Sequence, residues 1–317
     1  MSKQATQRVR RLVTAAALTT TAIAVGARVI GRRARGTEPR VEPLELTAGH
    51  RGGEGSPLLL LHGVSAIWRA WTPVLPYLEP HHDVIVPTLL GHGGGSPLSP
   101  GVEPSVQALV DGIEAELDEL GLRKVHIVGN SLGGWIGIEL ARRGRALSLV
   151  LFSPAGAWKS QRSIELRAGA IRRSVKASSR LASRADTMAA IPLVRQLLLG
   201  AQVAHPDRVD SGVLAAFIRA GGAAPAVDAL LRSLPRTQVD SLPAIRNYPV
   251  RLVWSGSDRV LPFKGFGDVM AERLPGAEVV HLEGVGHVPM SDDPRGVAEQ
   301  ILHVTSVVDA AATSSEV

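Results

Sequence analysis

The sequence with the most chemical content is GNSLG at residues 129–133, which has the form G-x-S-x-G. The preceding residues 125–128, VHIV, are typical of a buried strand, and apolar residues at helical spacing follow Ser131. A sharp turn between a strand and a helix lifts one serine hydroxyl clear of the backbone, and the flanking glycines relieve crowding in that turn. The pattern therefore predicts a nucleophile elbow with Ser131 as the nucleophile.

A serine nucleophile needs a base and a carboxylate that orients the base, and their order along such a chain is serine, acid, histidine. Asp258 follows an apolar strand predicted at residues 250–255, and His287 lies in a glycine-containing loop after another predicted strand. Parallel sheets place their sites at the carboxyl ends of strands. We therefore predict that Asp258 is the orienting acid and His287 the general base.

The tetrahedral intermediate of acyl transfer also needs N–H donors for its oxyanion. Leu132 follows the nucleophile and is expected to supply one backbone N–H. Val64 follows the predicted strand 57–61 and a His-Gly pair, and it is the second candidate. We interpret His62 as structural, with its ring bonded to local backbone. The other histidines, interpreted as surface or core residues, are His50, His81, His82, His92, His126, His205, His281 and His303.

With these motifs in this order, residues 41–308 resemble the α/β-hydrolase fold superfamily. The resemblance implies an α/β fold class, with a mostly parallel central sheet, helices on both faces and a helical cap. It also implies a serine hydrolase that cleaves a small apolar ester through an acyl-enzyme and needs no cofactor. No His, Asp and Glu residues have the spacing of metal ligands, so no metal site is predicted.

The same triad serves thioesterases, lactonases, perhydrolases and C–C bond hydrolases, and a non-catalytic small-ligand binding protein is a further alternative. Epoxide hydrolases and haloalkane dehalogenases use aspartate at the elbow, where this chain has Ser131. C–C hydrolases usually place tryptophan directly after the catalytic histidine, where this chain has Val288. These two departures favour ester hydrolysis.

Apolar patterns predict strands near residues 42–47, 57–61, 84–88, 125–130, 148–153, 250–255 and 278–282, with helices between most of them. Only one short strand fits between Arg40 and Pro57, whereas the family usually opens with an antiparallel hairpin, so the first edge strand is expected to be shortened or missing. Only helical patterns occur across residues 157–245, which we interpret as the cap, so the core comprises residues 37–156 and 246–308. Residues 309–317 are expected to be a disordered tail. Residues expected to line the pocket under the cap are Leu193, Val194, Leu197, Leu198, Leu199, Val213 and Leu214.

Charge is concentrated in the first 36 residues, which hold eight basic and no acidic side chains around an uncharged stretch at residues 12–27. We interpret residues 1–36 as a membrane-anchor or signal-like segment, which predicts membrane association; a cytoplasmic or secreted protein is the alternative. The rest of the chain holds 27 basic and 29 acidic side chains, so nucleic-acid binding is not expected. The absence of cysteine excludes thiolate metal sites and a cysteine nucleophile.

Overall fold

The computed structural model describes residues 44–315 of the 317-residue chain. The predicted membrane-anchor segment, residues 1–36, lies outside this range. Within it, no single helix has the length and hydropathy of a membrane span, and only the pair Ser211–Gly222 and Pro225–Arg236, bent by 76°, meets both requirements together.

One seven-stranded sheet, in the order β1-β3-β2-β4-β5-β6-β7, forms the centre of the fold. Its strands are β1 (Gly49–Gly52), β2 (Ser56–Leu61), β3 (His82–Pro87), β4 (Val125–Asn130), β5 (Ala146–Phe152), β6 (Val250–Ser255) and β7 (Glu278–Leu282). All neighbouring pairs are parallel except β1 with β3. The predicted fold class, a mostly parallel α/β sheet, is confirmed.

The apolar runs of the inner strands exist because both faces of the sheet are covered. Leu59 and Leu61 pack into the core on one face, and Leu58 and Leu60 pack into the core on the other. Helices α2 (Val106–Glu119), α3 (Leu132–Arg142) and α9 (Asp268–Arg273) cover the first face; α1 (Leu75–Leu78) and α11 (Pro294–Ser315) cover the second. A 3₁₀ turn lies at Trp68–Trp71, an irregular turn lies at Phe263–Gly267, and α10 spans Pro289–Asp292.

The chain between β5 and β6, all of which the structure describes, consists of helices and the loops that join them, and it contains no strand. The helices are α4 (Gln161–Leu181), α5 (Ala185–Ala189), α6 (Pro192–Leu199), α7 (Ser211–Gly222) and α8 (Pro225–Ser233), with 3₁₀ turns at Ala182–Arg184, Pro206–Arg208 and Leu234–Arg236. Two of these helices have a side-chain N-cap. Ser160 accepts a hydrogen bond from the N–H of Ser163 at the start of α4, and Asp210 accepts one from the N–H of Val213 at the start of α7. We call residues 161–236 the helical insertion; the range predicted for the cap contains all of it.

Two terminal elements differ from their predictions. Residues 44–47 of the predicted first strand are not paired; Leu44 and Leu46 instead pack against the insertion, and the edge strand is Gly49–Gly52. The expected disordered tail is helical as far as Ser315, because α11 continues through Asp309. The Asp309 carboxylate accepts hydrogen bonds from Ser56 and His126, which are distant from it in sequence.

Candidate active site

Ser131 lies between the last residue of β4 and the first residue of α3, with φ 55° and ψ −115°. Positive φ is uncommon for a residue with a Cβ and marks a constrained turn. The flanking glycines allow the close approach: a Cβ on Gly129 would lie 2.3 Å from the carbonyl oxygen of Gly133, and one on Gly133 would lie 2.2 Å from that of Leu61. Strand, turn and helix therefore have the geometry of a nucleophile elbow.

Asp258 and His287 meet although 29 residues separate them. His287 Nδ1 donates to Asp258 Oδ2 over 2.7 Å, and both side chains are buried. The other carboxylate oxygen accepts from the N–H groups of Val260 and Leu261 at 2.8 and 2.7 Å. With both oxygens engaged, Asp258 is fixed as an acceptor and holds the tautomer of His287 that carries its proton on Nδ1.

The loop after β2 lies directly beside Ser131. A Cβ on Gly63 would be 3.3 Å from the Cβ of Ser131, so this glycine permits the approach. In residues 44–315 the N–H groups of Val64 and Leu132 hydrogen-bond to no other group, although Leu132 is fully buried. An unpaired buried donor is costly. Two free N–H groups on either side of a serine are suited to an oxyanion.

His62 holds this loop in place. Its Nδ1–H donates to the carbonyl of Gly63 at 2.8 Å, and its Nε2 accepts from the N–H of Leu89 at 3.0 Å. Complete burial, reinforced by repulsion from His92, lowers the pKa of His62 to about 3. The interpretation of His62 as a structural residue bonded to backbone is confirmed.

Ser131 and His287 border a cavity of about 370 Å³ between the sheet and the helical insertion. This volume is typical of a small-molecule site. Five of the seven residues expected to line it do so: Leu197, Leu198, Leu199, Val213 and Leu214. Leu193 is instead 64% exposed, and Val194 packs into the core of the insertion. The lining is mostly apolar and includes Phe217, Val203 and Ile171.

Two buried polar side chains that the sequence analysis did not single out fix the His287 loop. Asn130, the variable residue of the elbow, donates from Nδ2 to the carbonyl of His287 at 2.9 Å. Asp292 accepts from the N–H groups of Gly286, Ala204 and His205, each at 2.8 Å. The position of Asp292 soon after His287 is a weak sequence signal, but its partners in the insertion are 87 and 88 residues away.

This fold and this arrangement of residues define a hydrolase of the α/β type. Residues 58–300 match the Alpha/beta hydrolase family, and the chain belongs to that family. Epoxide hydrolase EphH of Mycobacterium tuberculosis is 35% identical over 204 residues, which cover 62% of this chain and 93% of the relative.

Solved structures share the fold at lower identity. A thermophilic esterase from Thermogutta terrifontis has a TM-score of 0.64 and 22% identity, and the match covers 85% of this chain and all of that one. 2-Hydroxy-6-oxo-6-phenylhexa-2,4-dienoate hydrolase from Rhodococcus sp. strain RHA1 has a TM-score of 0.64 and 20% identity, covering 83% and 96%. The names of these proteins refer to different reactions, so the shared fold does not identify the substrate of this chain.

Proposed function

We propose that the protein is a serine hydrolase that cleaves an apolar carboxylic ester through an acyl-enzyme on Ser131. The supporting observation is the buried His287–Asp258 pair, whose histidine borders the same mostly apolar cavity as Ser131. A neutral imidazole with its Nδ1–H donated to a carboxylate presents a basic Nε2, which is what a serine hydroxyl needs for activation.

In the proposed first step, Ser131 Oγ attacks the ester carbonyl while His287 Nε2 takes the hydroxyl proton. Asp258 stabilises the resulting imidazolium, and the N–H groups of Val64 and Leu132 donate to the oxyanion. His287 then gives its proton to the departing alcohol, which leaves the acyl group on Ser131. A water molecule deprotonated by His287 attacks this acyl-enzyme, the bond between the acyl carbon and Ser131 Oγ breaks, and His287 returns the proton to Oγ as the acid leaves. No step needs a cofactor.

The type of elbow residue argues against epoxide hydrolysis, even though one relative bears that name. An epoxide-opening aspartate would stand where this chain has Ser131, and the two tyrosines, Tyr77 and Tyr248, lie outside the helical insertion and do not line the cavity. Val288 in place of tryptophan argues against C–C hydrolysis. Thioesters, lactones and perhydrolysis use the same triad, and the cavity selects among them.

A fluorophosphonate probe followed by a panel of p-nitrophenyl esters of increasing acyl length tests this proposal. We expect one covalent adduct, on Ser131, and turnover that rises with acyl length and then falls once the chain is too long for the cavity beside Ser131. Ser131→Ala is the matched control and should take up no probe. A folded wild-type chain that is neither labelled nor active would instead support a non-catalytic binding protein, and an adduct on another serine would contradict the assignment.

We also propose that residues 1–36 bring the enzyme to a membrane, because their eight basic side chains surround an uncharged stretch. The full chain should sediment with membranes, and a chain that begins at residue 37 should be soluble with unchanged turnover of a soluble ester. A full-length protein that stays in the supernatant at low salt would contradict this proposal.

A further inference from the structure

A second cluster of ionisable side chains lies at the amino edge of the sheet, at the opposite end of β4 from Ser131. His82 begins β3, His126 is the second residue of β4, and Asp309 is on α11. One ring nitrogen of each histidine and one carboxylate oxygen all lie within 4.8 Å of one another. Both imidazoles are buried, and the Asp309 side chain is 36% exposed, which leaves a path from solvent.

The strands bring this cluster together by register. His82 is paired with Ser56 on β2, and His126 is paired with Ser148 on β5. All four side chains have the parity of the sheet face that α11 covers, so they form a polar row at the edge of an apolar layer. Asp309 on α11 contacts this row through Ser56 and His126. The ligand-type residues are therefore placed by the fold on one small area, although 44 to 227 residues separate them in sequence.

The hydroxyl groups around the two imidazoles have the arrangement that metal-binding histidines use. His82 Nδ1 contacts Ser56 Oγ at 2.9 Å, and that hydroxyl donates to Asp309 Oδ2 at 2.8 Å. His126 Nε2 donates to Asp309 Oδ1 at 3.0 Å. The outward nitrogens contact Thr305 Oγ1 and Ser148 Oγ at 2.9 and 2.8 Å. Hydroxyls accept as well as donate, so each can hold the proton of a histidine whose inner nitrogen binds a metal.

We propose that His82 Nδ1, His126 Nε2 and the Asp309 carboxylate form a binding site for a first-row divalent transition ion of the Zn²⁺ type. Two imidazoles and one carboxylate suit Zn²⁺ and its neighbours, whereas Mg²⁺ and Ca²⁺ prefer all-oxygen sites. Ligands of a tetrahedral Zn²⁺ lie roughly 3.4 Å apart. Asp309 Oδ1 and His126 Nε2 are already 3.0 Å apart, so small side-chain shifts within the 4.8 Å cluster would reach this spacing. Ser56 Oγ or water takes the fourth position.

The proposed site joins the last turns of α11 to β3 and β4, so its role is to stabilise the fold around that helix. It is independent of the proposed ester hydrolysis, because Ser131 lies at the other end of β4. Sequence spacing predicted no metal site, since the three ligands come from three separate elements.

Metal titration of the full chain, purified without a histidine tag and freed of metal by a chelator, tests the site. We expect one Zn²⁺ per chain by calorimetry, and Co²⁺ in its place should give the visible d–d bands of a tetrahedral nitrogen and oxygen site. Asp309→Asn and His126→Gln should abolish binding. Thr305→Val, which removes an acceptor for a ligand histidine, should weaken it by about 10–100-fold.

The matched controls are His303→Gln on the exposed side of α11 and His81→Gln beside His82, and both should bind Zn²⁺ like the wild type. Zn²⁺ should also slow hydrogen exchange in residues 294–315 of the wild type but not of Asp309→Asn. Absence of saturable binding by the folded wild-type chain would overturn the proposal. So would loss of binding in His303→Gln with retention in Thr305→Val, a comparison that does not depend on the folding of Asp309→Asn.

Discussion

Two groupings of serine, histidine and aspartate lie at opposite edges of the sheet, and each contains a histidine hydrogen-bonded to an aspartate. His287 Nδ1 is 2.7 Å from Asp258 at the carboxyl edge. At the amino edge, His126 Nε2 is 3.0 Å from Asp309, and Ser148 Oγ is 2.8 Å from the other ring nitrogen. The histidine–aspartate distances alone would make both groupings candidate triads.

The two groupings differ in their surroundings. Ser148 is fully buried within β5, whereas Ser131 borders a cavity and has a positive φ. Free N–H groups flank Ser131 in the described structure, and hydroxyl groups surround the histidines of the amino edge. A serine hydrolase therefore needs a turn, a cavity and unpaired donors in addition to a serine, a histidine and an aspartate. The fluorophosphonate probe tests this directly, because it should label Ser131 and leave Ser148 of the same molecule unlabelled.

The largest expected effect is at the carboxyl edge. Ser131→Ala and His287→Ala should each lower kcat by about 10⁶, and the double variant should be little worse, because the triad acts as a unit. Turnover of a p-nitrophenyl ester by the three variants measures this. Losses that multiply in the double variant would contradict the shared role of the two residues.

Asp258→Asn should lower kcat by about 10⁴, because an amide in this position favours the wrong tautomer of His287. The fold should be retained, since the asparagine oxygen still accepts from the N–H groups of Val260 and Leu261. Steady-state kinetics together with circular dichroism separate the two effects. An Asp258→Asn enzyme at nearly full rate would assign the orienting role to another carboxylate.

Val64 tests the unpaired donors, because its proposed role uses only the backbone N–H. Val64→Pro deletes that group and should lower kcat by about 10² to 10³, with a much smaller change in KM. Val64→Ala is the control and should be nearly silent. Because proline also restricts Gly63, slow labelling by the probe must first show that the variant folds. If Val64→Ala lost most of its kcat while Val64→Pro kept it, the donor would lie elsewhere in the loop.

The smallest expected effect is on the pH dependence of the free energy of unfolding, to which His62 and His92 contribute because, in the described structure, they are buried and not paired with a carboxylate. Burial lowers the pKa of His62 to about 3 and that of His92 to about 4, both well below the unfolded value of about 6.5. As pH falls below about 6.5, the unfolded chain takes up protons that the folded chain refuses, so the free energy of unfolding should fall by about 1.4 kcal/mol per pH unit for each ring.

Urea unfolding at several pH values between 7 and 4.5 measures this slope. His92→Gln should reduce the slope by about one histidine's share. A free energy of unfolding that stays constant over this range would show that these rings are protonated in the folded protein.

The local motifs of this chain carried more information than its ends. Ser131, Asp258 and His287 are predicted from sequence because each follows an apolar strand and lies in a turn with glycine, and the structure joins His287 to Asp258. The alternation of Leu44 and Leu46 imitates a strand, but the structure uses those side chains to contact the insertion. Packing between elements distant in sequence decided that outcome.

The tail and the amino-edge cluster show the same dependence. Asp309 is followed by small and polar residues that alone indicate disorder, yet its bonds to Ser56 and His126 hold the helix in place. Asn130 and Asp292 act through carbonyl and N–H groups that no side-chain pattern reveals. Contacts of this kind require the three-dimensional structure.

The attachment of the His287 loop to the helical insertion has a consequence for enzyme engineering. Asp292 accepts from Ala204 and His205 of the insertion, and the N–H of Val288 donates to the carbonyl of Gln202 at 2.8 Å. A chimaera that receives residues 161–236 from a relative to change its substrate range would thus also exchange the support of His287, the proposed general base. Grafts that retain residues 202–205 of this chain are expected to keep turnover, and grafts that replace them are expected to lose it whatever substrate they admit.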